Sequence, residues 1–216
     1  DSHEYMQSLK FDAQKNGSNL LFGNDFLGME STSRGFKVKI RDISSNETYF
    51  VLTRLILNCG GLSSLKVLSE IDQKNKYLLK MIKGDYYSYS GKQKIDHLIY
   101  PIPTHNSLGV HVTIDMGKGI KFGPSAYEVK SVDYSISDKQ KTNFLSSINK
   151  YWPSIKPEEI HPGYSGIRAT IEGEDDFLID EFIDADNKMI SLLGYVSPGL
   201  TSSLAIAKEV ELIADL

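Results

Sequence analysis

The stretch SLLGYVSPGLTSSLAIAKEVELIADL, residues 191–216, decides how the chain is read. An apolar run stops at Ser197, Pro198 and Gly199, and a helical pattern begins at once. Leu204, Ala207 and Val210, joined by Ile206, Ile213 and Ala214, form an apolar stripe, so the unit is a strand, a tight turn and a helix with one buried face. Two readings of the junction stand side by side. In one, Pro198 and Gly199 are punctuation and Thr201 or Ser202 caps the helix. In the other, the N–H groups of Leu200, Thr201 and Ser202 and the positive end of the helix dipole face an anion, and Gly199 lets it approach the backbone. Spacing by itself favours the first.

Working outward, 216 residues suffice for one large domain or two small ones. A composition of 40% hydrophobic and 24% charged residues is that of a globular protein. The net charge of −4 gives no basic footprint, which argues against a nucleic-acid partner. Apolar runs such as RLILNC and MISLLGYV are too short for a transmembrane segment. The single cysteine, Cys59, excludes an internal disulfide and is compatible with a cytoplasmic protein, peripheral at a membrane or not. The chain opens without an initiator methionine or a signal peptide. DSHEYMQSLKFDAQKNG instead predicts a helix capped by Ser2, with Tyr5, Met6, Leu9 and Ala13 at helical spacing.

Strand patterns follow in NLLF, FLGMEST and FKVKIRD, where Phe36, Val38 and Ile40 alternate with lysines and an arginine. YFVLTRLILNCGG reads as a buried return run, and LSSLKVLSEI as a helix. A strand-rich block over residues 76–164 includes HLIYPIP, the hairpin VHVTIDMGKGIKFG and the helix DKQKTNFLSSINKYW. Residues 165–216 hold GIRATI, DFLIDEFI, a turn at Asp186 and Asn187, then the strand and helix first quoted.

Several positions admit a chemical reading. Gly60 and Gly61 end an apolar strand, as a turn does and as backbone passing close to a dinucleotide does. Nowhere does G-x-G-x-x-G follow a strand and open a helix. Arg168, between Ile167 and Ala169, needs a carboxylate partner, either an internal Asp or Glu or that of a substrate. The five histidines lack metal-ligand spacing, so no metal site is expected. Tyr86, Tyr87 and Tyr89 either line a pocket or pleat a sheet.

Taken together, HLIYPIP…LGVHVTIDMGKGIKFGPSA (97–126), GYSGIRA (163–169) and LLGYVSPGLTSSLAIA (192–207) resemble FAD-dependent oxidoreductases of the D-amino-acid oxidase/glycine oxidase superfamily. Within it the chain is most similar to L-2-hydroxyglutarate dehydrogenases, with glycerol-3-phosphate oxidases behind. The resemblance implies FAD as cofactor, contacted by Gly60, Gly61, Gly199, Leu200, Thr201 and Ser202. It implies that the last helix points at the flavin's pyrimidine edge, where reduced flavin carries negative charge. It implies a small carboxylate substrate held by Arg168, with Tyr100 and His111 near the pocket, and a catalytic base outside this chain. Alanine follows Arg168 where the family often has proline.

The Rossmann strand and its glycine motif are absent, so the resemblance is to the C-terminal part of the family. The expected fold is α+β, cut from an α/β parent. Residues 1–75 would be a partial FAD-binding domain, 76–164 a mixed-sheet substrate-binding domain, and 165–216 the returning part of the FAD-binding domain. A missing N-terminal FAD-binding segment or chain is the implied partner. Apolar surface on RLILN and MISLLGYV would then be exposed and favour association, a homo-oligomer included. The alternative is a non-catalytic fragment or binding module without cofactor; a plain interaction domain would pair Arg168 internally.

Overall fold

The computed structural model describes residues 1–102 and 109–215; His105 and the rest of residues 103–108 within the 97–126 stretch lie outside them. Helix α1 spans Ser2–Lys15. Its cap is Asp1, not Ser2: the Asp1 carboxylate accepts from the N–H groups of His3 and Glu4 at 2.9 and 3.1 Å, and Ser2 is already helical. None of its residues is buried, although the Tyr5 hydroxyl meets Ser203 Oγ at 2.8 Å.

Strands β1 (Asn24–Thr32), β2 (Gly35–Asp42) and β3 (Thr48–Thr53) form an antiparallel meander. Phe36 is fully buried while Lys37 and Lys39 face water, as the alternation predicts. NLLF lies outside any strand, with Leu21 and Phe22 exposed. The expected buried run 49–58 is instead broken at Arg54, whose guanidinium pairs with Asp186 at 3.0 Å. β3 leaves Phe50, Val51 and Leu52 exposed, and the chain restarts as β4 (Leu55–Asn58).

β4 lies parallel to β11 (Asn187–Leu193), and β10 (Leu178–Asp184) lies antiparallel on β11's other side. The turn before β11 is made at Ala185, with φ 54°, so Asn187 is already in the strand. As the middle strand, β11 buries Met189, Ile190 and Leu193; the expectation that MISLLGYV presents apolar surface fails for that reason, and only Leu57 of the β4 edge stays exposed. A short 3-10 turn (Gly61–Ser63) leads into α2 (Ser64–Ser69), whose Leu68 packs with Phe36, Ile171, Met189 and Leu193. Two buried asparagines pin these pieces: Asn58 Nδ2 donates to Ser64 O and Ser191 Oγ, and Asn187 Nδ2 to Ser31 Oγ and Thr32 O.

α4 (Gly199–Ala214) buries Val210 with Ile206 and Ile213 partly covered, whereas Leu204 and Ala207 are exposed. The buried face is therefore rotated from the stripe the spacing suggested, because β11 supplies the contact. Among the described residues no helix is long and apolar enough to cross a membrane.

The chain divides into two compact units, residues 1–79 with 169–216 and residues 80–168. In the second, β5 (Leu79–Tyr89) is central. It pairs antiparallel with β7 (Ile120–Gly123) and β8 (Tyr127–Val129), and it also pairs with β9 (Ile160–Ile171). β6 (His111–Ile114) extends the sheet beyond β7; HLIYPIP adds only a bridge from Ile99 to Val112. α3 (Asp138–Ile148), capped by Ser137, drives Phe144 and Ile148 into a core with Tyr87, Phe122 and Trp152.

Candidate functional site

The pleat of β5 sends neighbouring tyrosines to opposite sides. Tyr87 is fully buried against Phe144, ring centroids 4.6 Å apart, and Tyr89 lies 5.0 Å from Trp152. Tyr86 faces the other way and stacks on Tyr164 of β9, centroids 4.5 Å apart and planes 16° from parallel. Hydrogen bonds from Ser90 N–H to Glu159 O and from Glu172 N–H to Leu78 O make β5 and β9 antiparallel neighbours.

Arg168 stands four residues beyond Tyr164 on β9, and the period of two puts both on one face. Its guanidinium lies over Gly84 of β5: a methyl group on Gly84 would sit 3.6 Å from Arg168 Nη2. Gly166, midway between Tyr164 and Arg168, has no atom within 4 Å of where a Cβ would be. The result is a notched face with phenols at one end and a guanidinium at the other, and Gly84 beneath it is covered by its own unit, since the methyl on Gly84 would lie 2.9 Å from Pro124 Cβ and 3.0 Å from Ser125 O. The half-buried Arg168 has no ion pair or hydrogen bond among the described residues. The internal acid that spacing alone favoured as its partner is thus not found.

The notch rests on a buried polar network. Asp85 is fully buried; its Oδ2 accepts from Tyr127 Oη at 2.8 Å, and its backbone N–H donates to Ser125 Oγ at 2.9 Å. Lys83, also buried, donates to Ser135 O and places Nζ 4.0 Å from Asp85 Oδ1. Gly123, at φ 140°, brings its backbone against the Tyr86 ring; a Cβ there would lie 2.7 Å from both Tyr86 Cδ1 and Asp85 O. Burial raises the Tyr86 hydroxyl above the usual phenol pKa, Tyr164 adds to this, and the Arg168 charge opposes it. At neutral pH Tyr86 is therefore a neutral hydrogen-bond donor.

Tyr100 and His111 meet, with ring centroids 4.7 Å apart; His111 is buried, Tyr100 is exposed, and Tyr100 is also an electrostatic neighbour of Tyr86. Arg168, Tyr86, Tyr164, Tyr100 and His111 thus form one neighbourhood in the second unit. The described residues contain no cluster of potential metal ligands.

The other predicted positions belong to the first unit. Gly60 N–H donates to Asn58 Oδ1 at 3.2 Å, and a Cβ on Gly60 would press on Ser64. Gly61 starts the 3-10 turn at φ 55° and has open space beside it. Punctuation accounts for both glycines, and the opening at Gly61 leaves room for a ligand.

At the start of α4 the hydroxyls do not cap. Thr201 and Ser202 donate back to Pro198 O at 2.9 and 3.0 Å, and Ser203 to Leu200 O at 2.8 Å. Ser202 N–H makes the first helical bond, to Pro198 O, and Gly199 N–H donates to Val196 O. That leaves Leu200 and Thr201 as the N–H groups without an acceptor among the described residues, two where the sequence suggested three. A Cβ on Gly199 would meet only Tyr195 and Phe177, at 3.8 Å or more. Two recesses flank this turn. One, of about 260 Å³, has Glu174, Asp175 and Asp176 in its lining and does not suit an anion. The other, of about 370 Å³, is apolar and lies along Leu57, Cys59, Leu192, Tyr195, Gly199 and Ile206. Two donors at a helix N-terminus, beside a glycine and an apolar wall, fit one polar edge of a flat aromatic cofactor.

Sequence reasoning missed Tyr164, Gly84, Gly166 and the Lys83 and Asp85 pair. The signal available was period-two alternation across KGDYY and GYSGIR, which puts Gly84 with Tyr86 and Tyr164 with Arg168.

Residues 1–212 match the profile of the family described as FAD dependent oxidoreductase. The chain is 32% identical over 180 residues to a mitochondrial L-2-hydroxyglutarate dehydrogenase of Arabidopsis thaliana, covering 74% of this chain and 37% of that protein. It is 27% identical to a glycerol 3-phosphate dehydrogenase of Caloramator mitchellensis, covering 94% of this chain and 41% of the other. Its fold superposes with a TM-score of 0.79 on L-alpha-glycerophosphate oxidase from Mycoplasma pneumoniae with FAD bound, at 21% identity, over 95% of this chain and 54% of that one. The chain therefore spans about half, or less, of the length of these relatives.

Proposed function

Since the chain belongs to the FAD-dependent oxidoreductase family, we propose that it supplies the substrate unit and part of the flavin-binding unit of an enzyme that oxidises a small 2-hydroxy acid, L-2-hydroxyglutarate being the first candidate. Bound FAD supplies the two-electron acceptor that no side chain can provide. Arg168 holds the substrate carboxylate through paired N–H donors, and the protonated Tyr86 phenol stands beside it. Leu200 and Thr201 N–H hold the flavin's electron-rich edge, with Gly199, Gly60 and Gly61 as the backbone that the cofactor approaches. The pyrophosphate contacts and the base that takes the substrate's hydroxyl proton come from residues outside this sequence.

One observation carries the reading: a half-buried guanidinium with no carboxylate partner among the described residues, on the same face as Tyr86 and Tyr164. A charge so placed is matched when an anion arrives. The relatives named for L-2-hydroxyglutarate support the substrate choice. A second reading, oxidation of glycerol 3-phosphate, draws on the relative and the solved structure named for that compound. Anaerobic mixing of the flavin-loaded protein with L-2-hydroxyglutarate, other 2-hydroxy acids and glycerol 3-phosphate decides between them. Bleaching by the hydroxy acid is expected; bleaching by glycerol 3-phosphate alone favours the second, and bleaching by neither removes both.

A further inference from the structure

Few side chains hold α4 in place. Of its residues only Val210 is buried, while Leu200, Leu204 and Leu212 are exposed. The apolar recess of about 370 Å³ runs along its inner side from Gly199 to Val210. Packing therefore fixes this helix at one point near its end, and two polar tethers fix the rest. At the C-terminal end, Lys188 of β11 donates from Nζ to Ile213 O at 2.7 Å, one of the last carbonyls that a helix leaves without an internal partner. Asp215 and Glu181 stand 3.5 and 3.9 Å from the same ammonium. Asp215 is 88% exposed, so that ion pair adds little, and the bond to the carbonyl is what joins strand to helix. At the other end, Ser203 gives its one hydroxyl hydrogen to Leu200 O at 2.8 Å. In the 2.8 Å contact between Ser203 Oγ and Tyr5 Oη the donor is then Tyr5. Helix α1 buries no residue, so this phenol serves the start of α4 rather than a core.

We propose that Lys188 and Tyr5 are positioning residues for the flavin: by holding α4 at its two ends they set where the N–H groups of Leu200 and Thr201 point. The inference rests on the reading of those two groups as donors to the flavin's electron-rich edge. From Val210 to Gly199 the helix is a lever of roughly 16 Å, so a tilt of about 5° about Val210 carries the donors more than about 1 Å. A hydrogen bond weakens over such a shift, because its favoured distances span only about 0.5 Å. The Lys188 ammonium binds the helix roughly 21 Å along its axis from Gly199. That exceeds the screening length of about 8 Å at physiological salt, so the charge acts on the flavin through the helix and not directly.

The test uses the protein carrying its complete cofactor site, unmodified and as Lys188→Met, Lys188→Arg, Tyr5→Phe and Leu200→Pro. Leu200→Pro deletes one of the two donors in the first turn, where the helix itself makes no use of it. Amide exchange without FAD reads the hold on α4, and the reduction potential of the bound flavin reads where the donors point. In Lys188→Met, faster exchange in the last turn of α4 is expected. The preference for reduced over oxidised flavin should fall about 2- to 5-fold, the worth of a charge at a helix terminus. For two electrons that is a drop of about 10–20 mV. Tyr5→Phe should shift the potential the same way, Leu200→Pro should lower it too, and Lys188→Arg should keep the unmodified value. Tyr5→Phe removes one hydroxyl from an unburied helix, so it decides the matter if Lys188→Met does not fold. Unmodified potentials in Lys188→Met and Tyr5→Phe, with Leu200→Pro lowered, overturn this inference and leave the flavin reading in place. A shift in one of the two overturns the role of the other residue. A lowered potential in Lys188→Met with α4 exchange unchanged marks a direct effect of charge and overturns its positioning role. An unmodified potential in Leu200→Pro overturns the flavin reading and this inference with it.

Discussion

Replacing Gly199 with alanine separates cofactor contact from folding. The added methyl would lie 3.8 Å from Tyr195 Cβ and 3.9 Å from Phe177 Cζ, ordinary contact distances, and Gly199 does not have a positive φ. The folded state accepts the change, while the unfolded chain loses conformational freedom, so a gain of about 0.4–1 kcal/mol is expected. For a chain of this size that is a rise in melting temperature of roughly 1–4 °C. If the cofactor passes against Gly199, the same methyl occupies its space at a cost of about 1–3 kcal/mol, and FAD binding weakens about 5- to 150-fold. Thermal melts without FAD, and fluorescence titration with FAD of the protein carrying its complete cofactor site, read the two quantities. A raised melting temperature with unchanged FAD affinity would remove Gly199 from the cofactor site. A melting temperature several degrees lower would show instead that this glycine is a structural requirement.

Arg168→Ala should leave stability within about 0.5 kcal/mol, since the guanidinium has no ion-pair partner to orphan among the described residues, while carboxylate binding is lost; equal loss of both in melts and titrations would mark it as structural. Asp85→Asn should cost about 3–5 kcal/mol in urea unfolding because Lys83 then stays buried without its countercharge; a cost below about 1 kcal/mol would show that the ammonium is satisfied without it. Gly123→Ala should be destabilised by several kcal/mol or fail to fold, given contacts of 2.7 Å and φ 140°, and wild-type melting would contradict that geometry. Alkali should weaken the fold in a defined window. The Tyr77 hydroxyl, bonded to Asp180, and that of Tyr127, buried and bonded to Asp85, are both pushed up to about 12 from 10. The folded chain therefore holds protons that the unfolded chain releases, so this stability is intact below pH 10 and drains away as pH rises towards 12; urea midpoints flat across that window would refute it.

Local chemistry made parts of the molecule legible. Pro198 and Gly199 mark the start of α4, and Phe36, Val38 and Ile40 mark the pleat of β2, because both signals depend on nearest neighbours in sequence. Which side of α4 is buried was not legible, because β11 decides it and β11's place comes from pairing with β4 and β10. The same holds for Arg168: its residue type announces a need for a carboxylate, but whether one lies nearby depends on strands about 80 residues apart in the chain. The hydroxyls of Thr201 and Ser202 misled for a subtler reason. Both residue types cap helices, yet inside the first turn their shortest reach is back to the Pro198 carbonyl.

The central strand β5 has a consequence for how this protein can change. Lys83, Asp85 and Tyr87 are wired into the dry side of the sheet, Gly84 is held under Pro124 and Ser125, and Tyr86 turns to the Arg168 face. Positions that must be kept therefore flank Tyr86, the one of these five that can be tuned. A library confined to residues 86, 164 and 166 would rewrite the shape and donors of the notch, whereas a side chain at Gly84 would meet Pro124 and Ser125 at 2.9 and 3.0 Å. One strand then serves both as the keel of its unit and as one wall of the Arg168 notch.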